Sequence, residues 1–151
     1  MTNSLSFIKS KLTVDKKLIV QYYIKHLLLY NQRKFDIRTY MICATINGRQ
    51  KYFWYEEGYI RTSSELYDTE NLRDEFIHLT NDAIQKNGEN YGKYEDGNKL
   101  SYSEFQRYLD NRYPKGDWQV SSLHDKMREM AKEAIRATYC RIDPNRKKFN
   151  F

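Results

Sequence analysis

Alternating charged side chains open the most strand-like run of this chain, where Lys34, Asp36 and Arg38 are separated by Phe35 and Ile37. Successive side chains of a strand point to opposite faces, so the three charges are expected to share one face, roughly 6.8 Å apart. Such a charged ladder of cation, anion and cation is suited to binding a polyanion, for example a phosphate chain. The alternative is an edge strand with a solvated charged end.

A β-hairpin is predicted to position the charged ladder. The pattern of residues 33–45 is typical of a strand, and residues 50–56 alternate in the same way. Between them, Asn47 and Gly48 favour the positive φ angles that a type I′ turn requires.

The two faces of this hairpin have different expected roles. A two-residue turn would pair Cys43 with Tyr52 and Met41 with Trp54, which gives one aromatic, buried face. The face of the charged ladder continues with apolar side chains, so we expect it to be covered too and to form a cleft beside the charges. These apolar side chains are Tyr40, Ile42, Phe53 and Tyr55.

The segments on either side of the hairpin are predicted to contribute a strand and a binding loop. Residues 18–23 are apolar and β-prone, which predicts a first strand. Gly58 is expected to end the second hairpin arm, and residues 59–63 to form a further short strand that carries Arg61. The long polar run of residues 64–100 is typical of a lid or binding loop.

Helices are predicted toward the C-terminus. A helical turn is expected near residues 82–86. Ser101 and Glu104 form a capping-box pattern that begins a helix stopping before Pro114, and Asp117 is expected to begin the last helix.

The last helix is predicted to end at Pro144 and to be followed by the start of a strand at residues 149–151. Apolar positions recur at steps of three and four residues, which indicates a core-facing stripe. This stripe is Val120, Leu123, Met127, Met130, Ala134, Thr138 and Ile142. The expected solvated side is Lys126, Arg128, Lys132, Glu133 and Arg136.

Composition narrows the function classes. The chain has 151 residues and a net charge of +6, which fits one globular domain with a preference for acidic partners. Cys43, expected to be buried, and Cys140 have no metal-ligand spacing, so no metal site is predicted. No apolar run is long enough for a membrane span, and positive charge is the only feature that favours nucleic-acid binding.

Several motifs follow one another in the order seen in the tubulin-tyrosine ligase family. They are VQYYI at 20–24, RKFDIR at 33–38, EGYIRTSS at 57–64, HLTN at 78–81, AIQK at 83–86 and NYGKYEDGN at 90–98. The chain resembles this family from about residue 18 onward, and the tyrosine ligase itself more than the glutamylating or glycylating relatives.

The resemblance implies an ATP-grasp ligase, in which ATP activates a carboxylate before an amine attacks it. The implied fold class is α/β (α+β), a partial ATP-grasp C-terminal lobe with an antiparallel, hairpin-containing sheet packed against C-terminal helices. Residues 1–17 would form an N-terminal arm or helix, and residues 18–151 the partial ATP-grasp domain.

The resemblance also implies roles for individual residues. The implied nucleotide-binding set is Gln21, Tyr23, Ile24, Lys34, Asp36, Arg38, Thr80 and Asn81. The first three resemble the hinge that contacts adenine, and the last two would complete the ATP site. Arg38 and Arg61 are the implied catalytic cations, since they would neutralise charge on the transferred phosphoryl group.

The chain departs from the family pattern in ways that affect activity. Tyr22, Leu27 and Gln32 stand where the family usually has lysine, proline and glycine. Residues 1–17 lack the phosphate loop of the family, and the acidic residue and Glu-x-Asn pair that would bind magnesium are expected beyond the last strand. We therefore expect a member truncated at both ends that is incomplete as a catalyst on its own.

Two functions follow from the resemblance. The first is a fragment or truncated member of an ATP-dependent ligase that adds tyrosine or another amino acid to tubulin tails, with ATP and magnesium as cofactors of the complete protein. The alternative is a non-catalytic pseudoenzyme that binds tubulin as a structural component of a microtubule or ciliary assembly. Both predict tubulin or microtubules as the partner and a location in the cytoplasm, on the cytoskeleton or in the cilium.

Overall fold

The structure is a computed structural model. It describes residues 2, 4–12, 18–114, 116, 118–142 and 149–150. The predicted helix start at Asp117 and helix end at Pro144 lie outside these residues. The chain divides into two compact units. The first unit is Met1–Asp36 with Arg61–Lys99, and the second unit is Ile37–Ile60 with Leu100–Phe151.

The fold is α+β, as predicted. In chain order its elements are α1 (Leu5–Lys11), β1 (Arg33–Ile46), β2 (Arg49–Leu66), α2 (Glu75–His78), α3 (Asp82–Gln85), β3 (Lys99–Ser101), α4 (Tyr102–Arg112), α5 (Val120–Ile142) and β4 (Phe149–Asn150), with a 3₁₀ turn at Asp96–Asn98 before β3. The strand order is β3-β2-β1-β4. The predicted C-terminal strand is present, because Phe149 and Asn150 pair antiparallel with the end of β1. None of the described helices is both long and apolar enough to span a bilayer.

The hairpin turn is confirmed, but its second arm is longer than predicted. Asn47 and Gly48 have φ angles of 51° and 73°, as a type I′ turn requires. β2 runs through Gly58 without a break. A Cβ atom at Gly58 would lie 2.1 Å from the carbonyl oxygen of Arg38 and 2.5 Å from the hydroxyl of Tyr102. Glycine is therefore needed here for a close approach of side chain and backbone, and not to end the strand.

One face of the hairpin is only partly covered in the second unit. Cys43, Tyr52 and Trp54 are half-buried and Met41 is 40% exposed, so the prediction of a buried face, with a buried Cys43, was wrong in degree. Met41, Tyr52 and Trp54 line one wall of a cavity of about 260 Å³, and residues of α5 line the other. Burial raises the pKa of Tyr52, and the contact of its hydroxyl with Cys43 raises it further. This contact agrees with the predicted pairing of Cys43 and Tyr52.

The opposite face of the hairpin is not covered by the described residues. Tyr40, Ile42, Phe53 and Tyr55 are all exposed, Phe53 by 55%. The prediction that these side chains form a covered cleft was therefore wrong. Strand alternation indicates which side chains share a face, but it does not show whether another layer packs on that face.

The capping box of α4 is confirmed. The Ser101 hydroxyl accepts from the Glu104 amide at 3.2 Å, and the Glu104 carboxylate accepts from the Ser101 amide at 2.7 Å. Gln106 then connects α4 to the start of α5, because its side chain donates to the Trp118 carbonyl and accepts from the Val120 amide. The middle of α4 is thus joined by polar contacts to the first turn of α5.

The core-facing side of α5 differs from the predicted stripe. Val120 is buried and Met127 half-buried, but the inward side continues through His124, Ala131 and Ile135. The remaining predicted stripe residues, Leu123, Met130, Ala134, Thr138 and Ile142, are exposed, and Arg128 from the expected solvated side is half-buried. The prediction followed apolar side chains only. It missed the inward face because that face contains a buried histidine and the stem of an arginine.

Two loop predictions in the first unit have opposite outcomes. Residues 18–23 do not form the predicted strand. The run of residues 64–100 does contain the predicted helical turn, as α3. Gln32 has a φ of 60°, a conformation that glycine adopts without strain.

Candidate nucleotide-binding site

Asp36 is the centre of a cluster in the first unit. Arg61 of β2 donates from Nε to Asp36 Oδ1 at 2.9 Å and from Nη2 to Oδ2 at 2.7 Å. The Thr80 hydroxyl, just before α3, donates to the same Oδ2 at 2.5 Å. The two-pronged pair fixes the plane of the Arg61 guanidinium. Asp36 thus orients a cation, and Thr80 acts on the cluster through Asp36.

Lys34 lies beside this cluster and is held by the segment around α2. Its ammonium donates to the His78 carbonyl at 2.8 Å and to the Tyr23 hydroxyl at 3.4 Å, and it lies 5.0 Å from the centre of the Tyr23 ring. An ammonium has three donors, so one N–H remains after these two bonds. Desolvation lowers the pKa of Lys34, and the negative charge of Asp36 partly opposes this effect.

His78 connects Tyr23 to the loop before α2. It is 1% exposed, and both ring nitrogens have partners. Nε2 lies 2.9 Å from the Asn71 carbonyl, and Nδ1 lies 3.0 Å from the Tyr23 hydroxyl. Burial raises the pKa of Tyr23, and the neighbouring Tyr67 hydroxyl raises it further, so Tyr23 stays a neutral phenol.

A buried ion pair supports the start of β1. Arg33 is 2% exposed and its partner Glu95 is 11% exposed. Arg33 binds both carboxylate oxygens of Glu95, one of them at 2.9 Å, and Thr62 of β2 donates to the same carboxylate at 2.8 Å. The guanidinium also lies 4.4 Å from the centre of the Tyr94 ring. These contacts connect β1, which carries Lys34 and Asp36, to the loop before β3 that contains Tyr94 and Glu95.

Amide side chains complete this polar scaffold, which consists of Arg33, Thr62, Ser64, Gln85, Glu95 and Asn98. Gln85 accepts from the backbone and hydroxyl of Ser64 at 2.8 and 2.6 Å. Asn98 donates to the Ser64 hydroxyl at 2.9 Å and accepts from the Gly92 amide at 2.8 Å. Hydrogen bonds therefore order the long polar segment where apolar burial is scarce.

The structure brings together only part of the predicted set. Thr80 and Arg61 meet at Asp36, and Lys34 contacts Tyr23 beside them, while the side chains of Gln21 and Ile24 are exposed. Asn81 is exposed as well, and its side chain makes no capping bond to α3. Arg38 belongs to the second unit, where its guanidinium lies 5.3 Å from the centre of the Tyr40 ring.

Within the described residues, no group of three or more His, Cys, Asp or Glu side chains is placed to hold a metal ion. These residues therefore do not fit magnesium. Lys34 and Arg61 do fit phosphate oxygens, since both are cationic donors fixed by neighbouring groups.

Comparison with known proteins decides the family. The family model described as "Tubulin-tyrosine ligase family" matches residues 1–151. The chain belongs to the tubulin-tyrosine ligase family. This confirms the family that the sequence motifs indicated.

Individual relatives are similar over most of the chain. It is 34% identical over 111 residues to tubulin glycylase 3D of Tetrahymena thermophila, covering 71% of this chain and 10% of that protein. It is 35% identical over 113 residues to a probable tubulin polyglutamylase of Homo sapiens, covering 72% and 18%. It is 37% identical over 109 residues to tubulin glycylase 3B of Drosophila melanogaster, covering 69% and 14%. The chain thus spans less than a fifth of each of these relatives, and the closer likeness to the tyrosine ligase itself stays a prediction.

Replacing Asp36 with Asn is expected to lower the pKa of Lys34 further below its ordinary value of 10.5, because the charge that opposes desolvation is removed. The folded-state pKa is below the unfolded one, so the cost of burying this charge is present at neutral pH and falls as the pH rises toward 10.5. An NMR titration of the Lys34 side chain measures the change. Asp110→Asn, on an exposed position of α4, is the control and should leave the Lys34 pKa unchanged. An unchanged or higher Lys34 pKa in Asp36→Asn would show that the Asp36 charge does not act on the Lys34 ammonium.

Proposed function

We propose that this chain provides part of the nucleotide site of an ATP-dependent ligase that adds amino acids to tubulin, and that it is incomplete as a catalyst on its own. The observation that carries this proposal is the Lys34 ammonium held beside the Asp36–Arg61 pair in a member of this family. Relatives named as tubulin glycylases and polyglutamylases support tubulin as the protein that is modified. This function would place the protein in the cytoplasm, on the cytoskeleton.

The residues of the cluster have distinct proposed tasks. In family members ATP supplies the phosphoryl group that activates a carboxylate for attack by an amine. Lys34 and Arg61 would bind phosphate oxygens, and Asp36 would hold Arg61 in a fixed orientation. Tyr23, a proposed hinge residue, lies against Lys34, a proposed phosphate contact. The adenine and phosphate parts of the site would therefore adjoin at this pair. The hinge residues Gln21 and Ile24, with Thr80, Asn81 and Arg38, keep their proposed nucleotide roles, and magnesium would be held outside the described residues.

Calorimetry with ATP and magnesium tests the nucleotide site. We expect the chain to bind ATP and Lys34→Met to weaken the affinity about tenfold or more, because a charge-assisted hydrogen bond is lost. Lys132→Met is the matched control, since Lys132 is an exposed residue of α5 paired with Glu129. Absence of heat with the unaltered chain, or equal losses in both variants, would contradict the proposed site.

A single-turnover assay tests the catalytic part of the proposal. The chain alone is incubated with ATP, tubulin and tyrosine, glycine or glutamate in separate reactions. We expect no modified tubulin, and clear product in any reaction would overturn the claim of incompleteness. Product only from a longer protein that contains this chain would support it and would show which amino acid is added.

A second candidate is a non-catalytic, tubulin-binding component of a microtubule or ciliary assembly. The observation that favours it is the net charge of +6, with Arg73 and Lys93 exposed on the first unit. Acidic tubulin tails would be attracted to such a surface, and salt would weaken the attraction. Co-sedimentation with microtubules at low and high salt is the test. Binding that persists after removal of the tails would count against this candidate.

A further inference from the structure

His78 holds Lys34 in two ways. Its backbone carbonyl accepts from the Lys34 ammonium at 2.8 Å. Its imidazole contacts the Tyr23 hydroxyl, which itself accepts from the same ammonium at 3.4 Å. The histidine is almost fully buried in a motif, HLTN, whose Thr80 donates to Asp36.

The hydrogen bonds through His78 have one direction. The Asn71 carbonyl can only accept, so His78 Nε2 carries the ring proton, and Nδ1 of the neutral ring is an acceptor. The Tyr23 hydroxyl also contacts the Tyr67 hydroxyl, but Tyr67 has its own proton and donates it to the Lys25 carbonyl, whereas the buried Nδ1 requires a donor. Tyr23 therefore donates to Nδ1, which leaves its oxygen lone pairs toward Lys34. Lys34 donates to Tyr23, Tyr23 to His78 and His78 to Asn71. A chain with this polarity favours a cation at its first position.

We propose that His78 is a positioning residue, which orients the Tyr23 hydroxyl so that it receives the Lys34 ammonium and presents the remaining N–H to a nucleotide phosphate. This inference rests on the proposed function for the choice of ligand, but the positioning itself does not require a nucleotide. A histidine that only fills space would not depend on which of its two nitrogens is replaced. Replacing His78 with Asn or with Gln distinguishes a positioning histidine from one that only fills space.

Asn and Gln each replace one half of the imidazole. In His78→Asn the amide oxygen can take the position of Nδ1 and accept from Tyr23, while the donor to Asn71 is lost. In His78→Gln the longer amide reaches the position of Nε2 and donates to Asn71, while the acceptor for Tyr23 is lost. The backbone carbonyl of residue 78 remains in both. Tyr23→Phe removes only the hydroxyl and keeps the ring that packs on Lys34.

The experiment combines ¹⁵N NMR of the Lys34 ammonium with calorimetry of ATP binding. We expect the slowly exchanging ammonium signal to persist in His78→Asn and to be lost in His78→Gln and Tyr23→Phe. ATP affinity should fall about fivefold to tenfold in the last two variants only, and no further when they are combined. Equal signals and affinities in the Asn and Gln variants, or no effect of Tyr23→Phe, would overturn the proposal. If the unaltered chain does not bind ATP, the proposed function fails, and the ammonium signal alone still decides the role of His78.

Discussion

Replacing Glu95 with Gln should lower the free energy of unfolding by about 3–5 kcal/mol, because it leaves the charge of Arg33 buried without an opposite charge. Arg33 is 2% exposed, and its guanidinium binds both oxygens of the Glu95 carboxylate. The Thr62 hydroxyl would lose its charged acceptor as well. Urea denaturation followed by circular dichroism measures the change.

Glu129→Gln is the matched control for this prediction. Its pair with Lys132 lies on the exposed surface of α5, so the same chemical change should leave the free energy of unfolding almost unchanged. The double replacement Arg33→Met with Glu95→Leu should recover part of the loss, because no unpaired charge remains. Equal losses for Glu95→Gln and Glu129→Gln would contradict the expected cost of burying the Arg33 charge without an opposite charge.

Gly58→Ala is the second change with a large expected effect, a loss of about 3 kcal/mol from overpacking. The new methyl group would lie 2.1 Å from the Arg38 carbonyl oxygen and 2.5 Å from the Tyr102 hydroxyl. The carbonyl belongs to the backbone of β1 and cannot rotate away, so the strands or α4 must shift. The hydrogen bond from the Tyr102 hydroxyl to Arg38, at 3.3 Å, would be lost. Thermal and urea unfolding both report the loss.

Two further variants separate the causes at Gly58. Tyr102→Phe in the Gly58→Ala background removes the clash with the hydroxyl but not the clash with the carbonyl, so we expect only partial recovery. Gly48→Ala, at the hairpin turn, meets nothing within 4 Å and should cost only about 1 kcal/mol for its φ of 73°. A smaller loss at Gly58 than at Gly48 would contradict the close approach.

Elements with local signals could be predicted from the sequence. The Asn47-Gly48 turn and the Ser101–Glu104 capping box depend on residues adjacent in the chain, and both are confirmed. The inward face of α5 could not be predicted, because His124 is buried through a hydrogen bond from Trp54 on β2. That contact joins residues far apart in sequence, so no pattern within the helix indicates it.

The candidate site shows the same limit. Strand alternation placed Lys34 and Asp36 on one face, but it gave no information on cross-strand partners. The role of Arg61 as a phosphate-neutralising cation stays a prediction, and alternation did not indicate that Asp36 on the other strand would hold it. His78 was missed as a site residue although HLTN was recognised, because its role depends on the Tyr23 hydroxyl and the Asn71 carbonyl.

The polar scaffold of the first unit has a consequence for how this protein can change during evolution. An oily interior tolerates many exchanges among aliphatic residues as long as total volume is kept. Here most buried side chains are polar and hydrogen-bonded to one another. Replacing one of them leaves its partner without a hydrogen bond, and the lost stability is recovered only when the partner is replaced as well. We expect residues of the polar scaffold to be substituted slowly and together with their hydrogen-bond partners. Residues on the outward side of α5 should be substituted independently of one another.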